Sequence, residues 1–469
     1  MPQPSWWRPG VAILGLGVLA LVCQGFIRDD EWWVPGAFTI AIGLILLPAL
    51  RRALRRGAEQ VLADHLLVLA GAFMAYCVFG ALLIPFGPQE QAEYSLSYYA
   101  VDAPLAMRVT AVNCIGFGLA LVSGSLVRRH WVSKWARTAI GFGRSVRQKW
   151  IIAAFLLIGG ASWFHVFTFD SGLRPGMAPG LVRTMSQLLL VAIMVAAAYR
   201  GRGSVWLLSL AVALTVIQAL VGLLLLNKSS VLLPLMVLLA GLAWRLGVRR
   251  VLVPGLPAVL AIFLLVGGPV STGRYMFGFG ERVVWSERIA VLSDAVLRAS
   301  DTALDSDYPS WARLNYLSSQ GAALDFYDTG RGGDDYRLLG WVVLPRFLFP
   351  EKPEMTASGR DFHYQITGSD TSSSGQGVFI NGYYNLGWWG VIVVGIAVGC
   401  MLAWTSAFAA EVFRVRALIW LPMALLGSMM AFRIDGAFVA DYWGPFVLLS
   451  YAAFSGVCMQ TLLYRNRRR

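Results

Sequence analysis

The chain has 469 residues, of which 57% are hydrophobic and 14% charged, and a formal net charge of +13. Its positive mean hydropathy, carried in apolar runs of about 18 to 24 residues, excludes a soluble globule and implies a polytopic helical membrane protein. The charge does not point to nucleic acid, because residues 271–376 hold ten Lys/Arg against fourteen Asp/Glu while the rest holds 29 against 12, mostly in short connectors.

Twelve apolar intervals follow one another along the chain: 11–27, 33–50, 61–84, 106–127, 150–169, 181–199, 204–226, 230–246, 251–270, 377–404, 417–433 and 438–463. The first is followed by Arg28-Asp29-Asp30-Glu31 and lacks a small-residue cleavage site, so it reads as a retained helix. With the N-terminus inside, every strongly basic short connector falls on the cytoplasmic side. These are Arg51-Arg52-Ala53-Leu54-Arg55-Arg56, the segment 128–149 with seven Lys/Arg, Arg200-Gly201-Arg202, 245–250, 414–416 and the tail 465–469. The other side receives turns 28–31, 85–104, 169–180 and 227–230, together with the long segment. A missed span would invert everything after it, so the agreement argues for an even count. The expectation is an all-α, multi-pass membrane protein of about twelve transmembrane helices. Nine lie in 1–270, a large outer loop fills 271–376, and three more with a basic cytoplasmic tail fill 377–469. Cys23, Cys77, Cys114, Cys400 and Cys458 sit inside apolar segments as small hydrophobes, with no disulfide framework and no metal-ligand spacing.

A loop as long as 271–376 is usually either functional or disordered. Its Trp285, Trp311, Tyr316, Phe326, Tyr336, Trp341, Phe347 and Phe349 are more apolar surface than a solvated linker carries. Helical spacing over 281–300 and 309–327, with charges between the apolar positions, predicts two amphipathic helices on the membrane face or over a cavity between the spans. Gly330, Gly332 and Gly333 then break the chain, a proline-bracketed turn follows, and the Ser/Thr/Gly-rich strip 367–377 is expected to move.

The residues with chemistry to offer are mostly cations on the outer side. Arg346 and Lys352 flank a turn fixed by Pro350 and Pro353, which suits an anion clamp. Lys228 sits in a tight turn where the next helix could add free N–H groups. Arg433 with Asp435, Arg183, and the loop's Arg274 and Arg282 lie at the same level. Such convergence points to a phosphate or pyrophosphate ligand. Each cation also has a plainer reading, snorkelling to headgroups or pairing with a carboxylate. His363, Asp361 and Asp435 are the candidate bases, although Asp361 could simply pair with Arg360 and Asp435 with Arg433. His65, His130 and His165 receive no role, and Gly382, Gly387, Gly390, Gly395 and Gly399 read as close-packing positions.

Leu344-Pro345-Arg346-Phe347-Leu348-Phe349-Pro350-Glu351-Lys352-Pro353 and the later Phe379-Ile380-Asn381-Gly382-Tyr383-Tyr384-Asn385-Leu386-Gly387-Trp388-Trp389-Gly390 resemble the signature of bacterial O-antigen and exopolysaccharide repeat-unit polymerases. The resemblance implies a GT-C-like glycosyltransferase of the bacterial inner membrane. It would join undecaprenyl-pyrophosphate-linked oligosaccharide units at the periplasmic face, with a flippase and a chain-length co-polymerase as partners. No His-x-x-x-His spacing is present, and metal-independent transfer without a cofactor is expected. Arg346, then Lys228, Arg433 and Lys352, would hold the pyrophosphate, and His363 or Asp361 would take the acceptor proton. Related O-antigen ligases usually carry a His close to the Asn-rich element; here His363 lies well before Asn381, which favours polymerase over ligase. A transporter or flippase is the rival from another class. Against it, the long loop does not divide six spans from six, and the span interiors are nearly free of charge. A scaffold that only organises other enzymes would make no single outer Arg matter.

Overall fold

The computed structural model describes the backbone outside residues 1–5, 128, 142–147, 177, 202, 278–284, 299–310, 345–347, 350, 356, 369–373 and 467–469. Side chains are described for the same residues except 129–133, 228, 264, 267–269, 271–277, 291, 294–298, 313, 460 and 462–466. Among the described residues every regular element is helical. In chain order these are α1 (Trp7–Cys23), α2 (Trp33–Leu54), α3 (Ala58–Ala63), α4 (His65–Phe73), α5 (Leu83–Phe86), α6 (Gln89–Leu96), α7 (Ala103–Leu126), α8 (Arg129–Ile140), α9 (Gln148–Asp170) and α10 (Gly180–Ala198). There follow α11 (Ser204–Leu224), α12 (Lys228–Leu246), α13 (Val248–Phe277), α14 (Trp285–Arg298), α15 (Leu317–Asp328), α16 (Leu339–Val343), α17 (Ala357–Thr367), α18 (Val378–Val415), α19 (Leu421–Phe432) and α20 (Gly444–Asn466).

Nine of the described helices are long and apolar enough to cross a membrane, so this is a polytopic membrane protein. Two further apolar helices are shorter, His65–Phe79 and Leu418–Phe432. They are also composite, because α4 continues as a π-helical turn (Met74–Phe79) and α19 is preceded by a 3-10 turn (Leu418–Trp420). Helix α13 occupies the ninth expected interval but runs on to Phe277, so the first residues assigned to the loop extend this helix.

The 38-residue α18 is the axis of the bundle and packs against α7, α8, α4 and α19. Its seam with α7 depends on small residues: a Cβ on Gly399 would lie 2.1 Å from the Ala120 carbonyl oxygen, and one on Gly395 would lie 2.7 Å from that of Gly116. Gly387 plays a different part. It adopts φ 59° and ψ −145°, next to Leu386 at φ −140°, and so breaks α18 into a short first leg and a long second one. The two legs meet so closely that a Cβ on Gly382 would lie 2.8 Å from the Gly390 oxygen. Four of the five glycines are therefore packing positions, while Gly387 is there for its backbone.

The described residues of 311–377 fold as a cap on the end of the bundle where α7 and α18 begin. Helix α14 matches the first expected amphipathic helix, with Ile289 exposed and Arg288 buried. Helix α15 does not lie on a surface. Its Leu317, Ser318, Gln320, Ala322, Ala323, Leu324 and Phe326 are buried, because neighbouring elements satisfy its polar groups. Ser318 donates to the Tyr99 carbonyl at 3.1 Å, and Asn113 of α7 donates to Gln320 at 3.1 Å. Helix α16 is tied to the last helix by hydrogen bonds from Trp443 to the Leu339 carbonyl and from Tyr451 to that of Val343. The strip 367–377 is pinned at its end: Ser374 N donates to the Gly359 carbonyl and Gly377 N to that of Asp435.

The opposite end of the bundle carries the basic connectors. Arg56 reaches Asp64 at 3.3 Å, and Asp64 caps α4 by accepting from Leu67 N. Arg137 of α8 pairs with the buried Glu411 of α18 at 2.9 Å. His65, fully buried, joins α4 to α18 through Thr405 at 2.7 Å.

Because only glycine takes the Gly387 conformation without strain, Gly387→Ala is expected to lower stability by about 1–3 kcal/mol. Gly340→Ala, where a Cβ meets nothing within 4 Å, should be neutral or slightly stabilising. Thermal unfolding of the detergent-solubilised protein reads both. Equal melting temperatures for the two variants would refute the assignment.

Candidate functional site

The cap is held to the bundle by the first leg of α18. Asn381 is fully buried there and bonds to three separated segments. Its amide donates to Asp335 Oδ2 at 3.1 Å and to Gln376 Oε1 at 2.7 Å, while its Oδ1 accepts from Phe438 N at 3.2 Å. Asn385 adds a second tie, accepting from Asp335 N at 2.8 Å. Burial pushes the Asp335 carboxyl above the usual carboxylate range, and the Asn381, Asn385 and Ser358 hydrogen bonds oppose that. The Asn-Gly element thus works as a backbone clamp.

Beside the clamp, the connector from α19 to α20 carries Arg433, Asp435 and Asp441. Asp435 is half-buried and accepts from the Tyr316 hydroxyl at 3.3 Å. Burial raises its carboxyl above the usual range, and Arg433 pulls it back down. Arg433 is exposed and forms no ion pair within 4 Å among the described residues. Asp441 accepts from Ala437 N at 2.9 Å, which fixes the hairpin that presents both groups. Tyr316 stands edge-on to Tyr76 at 5.6 Å, and both line a cavity of about 30 Å³ with Asn113, Asn315 and Gln320. That volume is enough to hold ordered water, and the Asn315 amide nitrogen is buried there without a partner among the described residues. The arrangement offers a proton acceptor, a cation and a polar hollow side by side.

The other predicted residues divide. His363 accepts from or donates to Ser374 at 2.7 Å, and burial lowers its proton affinity. The next residue, Gly375, packs so tightly that a Cβ would lie 2.3 Å from the Asp435 carbonyl oxygen. His363 and Asp435 thus flank one short strand of the cap. Asp361 is exposed on α17, and its neighbour Arg360 pairs with Glu354 at 3.8 Å. Lys352 donates to the Leu344 carbonyl at 2.9 Å and to that of Val342 at 3.3 Å, capping the end of α16. Arg183 pairs with Asp170 at 2.8 Å and closes the turn between α9 and α10. At Lys228 the N–H groups expected to meet an anion are already engaged, since Asn227 Oδ1 accepts from Ser229 N and Ser230 N. The side chains of Lys228 and Arg274, and all of Arg282 and Arg346, lie outside the described residues.

Sequence reasoning missed Asp335, Tyr316 and Arg108. Arg108 of α7 pairs with Asp328 of α15 at 2.5 Å and bonds to the Tyr383 hydroxyl, which also donates to Asp328 at 2.9 Å. An arginine inside an apolar interval was the available signal.

Asn381→Ala leaves the Phe438 N–H without its acceptor and takes one of the hydrogen bonds that reach Asp335, at a cost of about 1–3 kcal/mol. Asn381→Asp keeps the shape but sets two carboxyls together. Both then bind protons more readily folded than unfolded, so this variant should lose stability as pH rises and recover it on acidification. Melting temperatures at about pH 4.5 and about pH 8 should converge on wild type only at the lower pH. No family model, curated protein or solved structure bears a significant likeness to this chain, so its resemblance to repeat-unit polymerases rests on the quoted residues alone.

Proposed function

We propose that this protein is a membrane glycosyltransferase that polymerises undecaprenyl-pyrophosphate-linked oligosaccharide repeat units, with about twelve spans and a periplasmic cap. The observation that carries the reading is the pair formed by exposed Arg433, with no ion pair within 4 Å among the described residues, and half-buried, proton-affine Asp435 beneath that cap. The hydroxyl of the acceptor unit attacks the donor's anomeric carbon, the bond from that carbon to the pyrophosphate oxygen breaks, and the lipid pyrophosphate departs. Asp435 takes the hydroxyl proton. Negative charge grows on the leaving group, so a fixed guanidinium there stabilises the transition state more than the ground state. Arg346 joins Arg433 in this role on the strength of the Pro-Arg element. His363, held to Ser374, is the second proton acceptor in reach of the same strip. The capping of α16 by Lys352 and the pairing of Arg183 give those two residues structural work instead.

The test is reconstitution of the pure protein with lipid-linked repeat units and inspection for a ladder of longer glycans. Arg433→Gln should slow polymerisation on the order of a hundredfold to a thousandfold. Arg346→Lys should lose most activity despite keeping its charge, because a point charge does not replace a planar fork. The pH profile separates the two roles. Transfer needs Asp435 ionised, so the acid limb should sit above the usual aspartate range. In Arg433→Gln the acid limb should move higher still, because the group holding that proton affinity down is gone. No ladder from any folded preparation would overturn the enzyme reading. Normal ladders from Arg433→Gln and Asp435→Asn would overturn the site.

A further inference from the structure

The end of the bundle opposite the cap carries an open cavity of about 680 Å³ that takes no part in the chemistry above. Connectors far apart in sequence build its wall: 57–60 after α2, Gln148 at the start of α9, Tyr199 and Arg200 after α10, Trp244 and Arg245 at the end of α12, and Arg416 after α18. Its charged lining is Arg200, Arg245 and Arg416 against Glu59. Glu59 is already engaged, accepting from the Trp244 indole at 3.3 Å.

A helix C-terminus attracts cations, and that plainer role is filled by Arg200. Its guanidinium donates to the carbonyls of Trp244 and Arg245, closing the end of α12. The other two arginines are not used in this way. Arg245 keeps its Nη1 buried with no hydrogen-bond partner among the described residues, a costly arrangement for a charged donor. Arg416 terminates α18 in the left-handed region at φ 52°, with its side chain exposed and without an ion pair among the described residues. Two guanidinium groups with unused donors, facing a hollow far larger than a water and backed by Tyr199 and Trp244, match the planar, multidentate recognition of phosphate.

We propose that this cavity is a second binding site, specific for a phosphorylated anion whose phosphate is held by Arg245 and Arg416 and whose organic part lies against Tyr199 and Trp244. The anion is either the headgroup of an acidic phospholipid or a soluble phosphate ester. The proposal is independent of the polymerase reading, and the ladder assay neither supports nor weakens it.

The experiment uses the full-length protein in phosphatidylcholine nanodiscs. One arm adds phosphatidylglycerol in increasing proportion, and the other titrates glycerol 3-phosphate. Binding is read by native mass spectrometry and by the shift in melting temperature. Saturable binding in the first arm alone identifies the membrane as the source, and binding in the second arm identifies a soluble ester. In the responding arm Arg245→Gln and Arg416→Asn should each weaken binding about tenfold or more. Arg416→Asn is the safer variant for folding, since asparagine tolerates left-handed backbone. Arg51→Gln removes the same charge from an exposed position outside the cavity wall and should bind as wild type does. Absence of saturable binding in both arms would overturn the proposal, as would equal weakening in all three variants.

Discussion

The capped end of this protein depends on one buried carboxamide. Asn381 gathers the cap through Asp335, the strip before α18 through Gln376, and the entry to the last helix through the Phe438 amide. Each partner is buried or half-buried, so no water can replace a lost bond cheaply. Gly387 makes the geometry available by breaking the helix after the Asn-bearing turn, and Gly382 lets the two legs close on each other. The clamp in turn sets the hairpin that holds Arg433 and Asp435, since the Gly377 and Val378 amides bond to the Asp435 and Ile434 carbonyls. Position at the candidate site is therefore inherited from packing on α18.

The two ends of the bundle treat charge in opposite ways. At the capped end carboxylates and tyrosines are partly withdrawn from water, and Arg433 stands exposed among them. At the other end arginines dominate, and several are consumed in holding helix ends together: Arg137 and Arg414 on Glu411, Arg56 on Asp64, and Arg200 on the carbonyls that close α12. Connectors that the charge pattern assigned to one side do meet in space, since 57–60, 199–201, 244–247 and Arg416 line one hollow.

Most of the helical framework was legible because apolar length is a strong signal: nine of the described helices are long and apolar enough to cross a membrane, while 61–84 is broken at Asp64 and at 80–82. The signal failed where pattern and burial part company. Residues 317–328 carry the polar positions of a surface helix, yet Ser318 and Gln320 are buried because Tyr99 and Asn113 supply their hydrogen bonds. No local pattern reveals a partner some two hundred residues away. For the same reason Asn381 stood out as part of a motif, while its bond to Asp335 did not. Lys352 and Arg183 illustrate the limit from the other side. Their charge suggested an anion, but a nearby carbonyl and a nearby carboxylate were sufficient partners.

Arg108 bears on how firmly the cap is seated. Its guanidinium rises from a membrane-crossing helix into the cap, where Asp328 and Tyr383 receive it. Swinging α15 away like a hinged roof would separate that guanidinium from its counter-ion. The roof is consequently bolted from below, by a charge rooted in the second turn of α7.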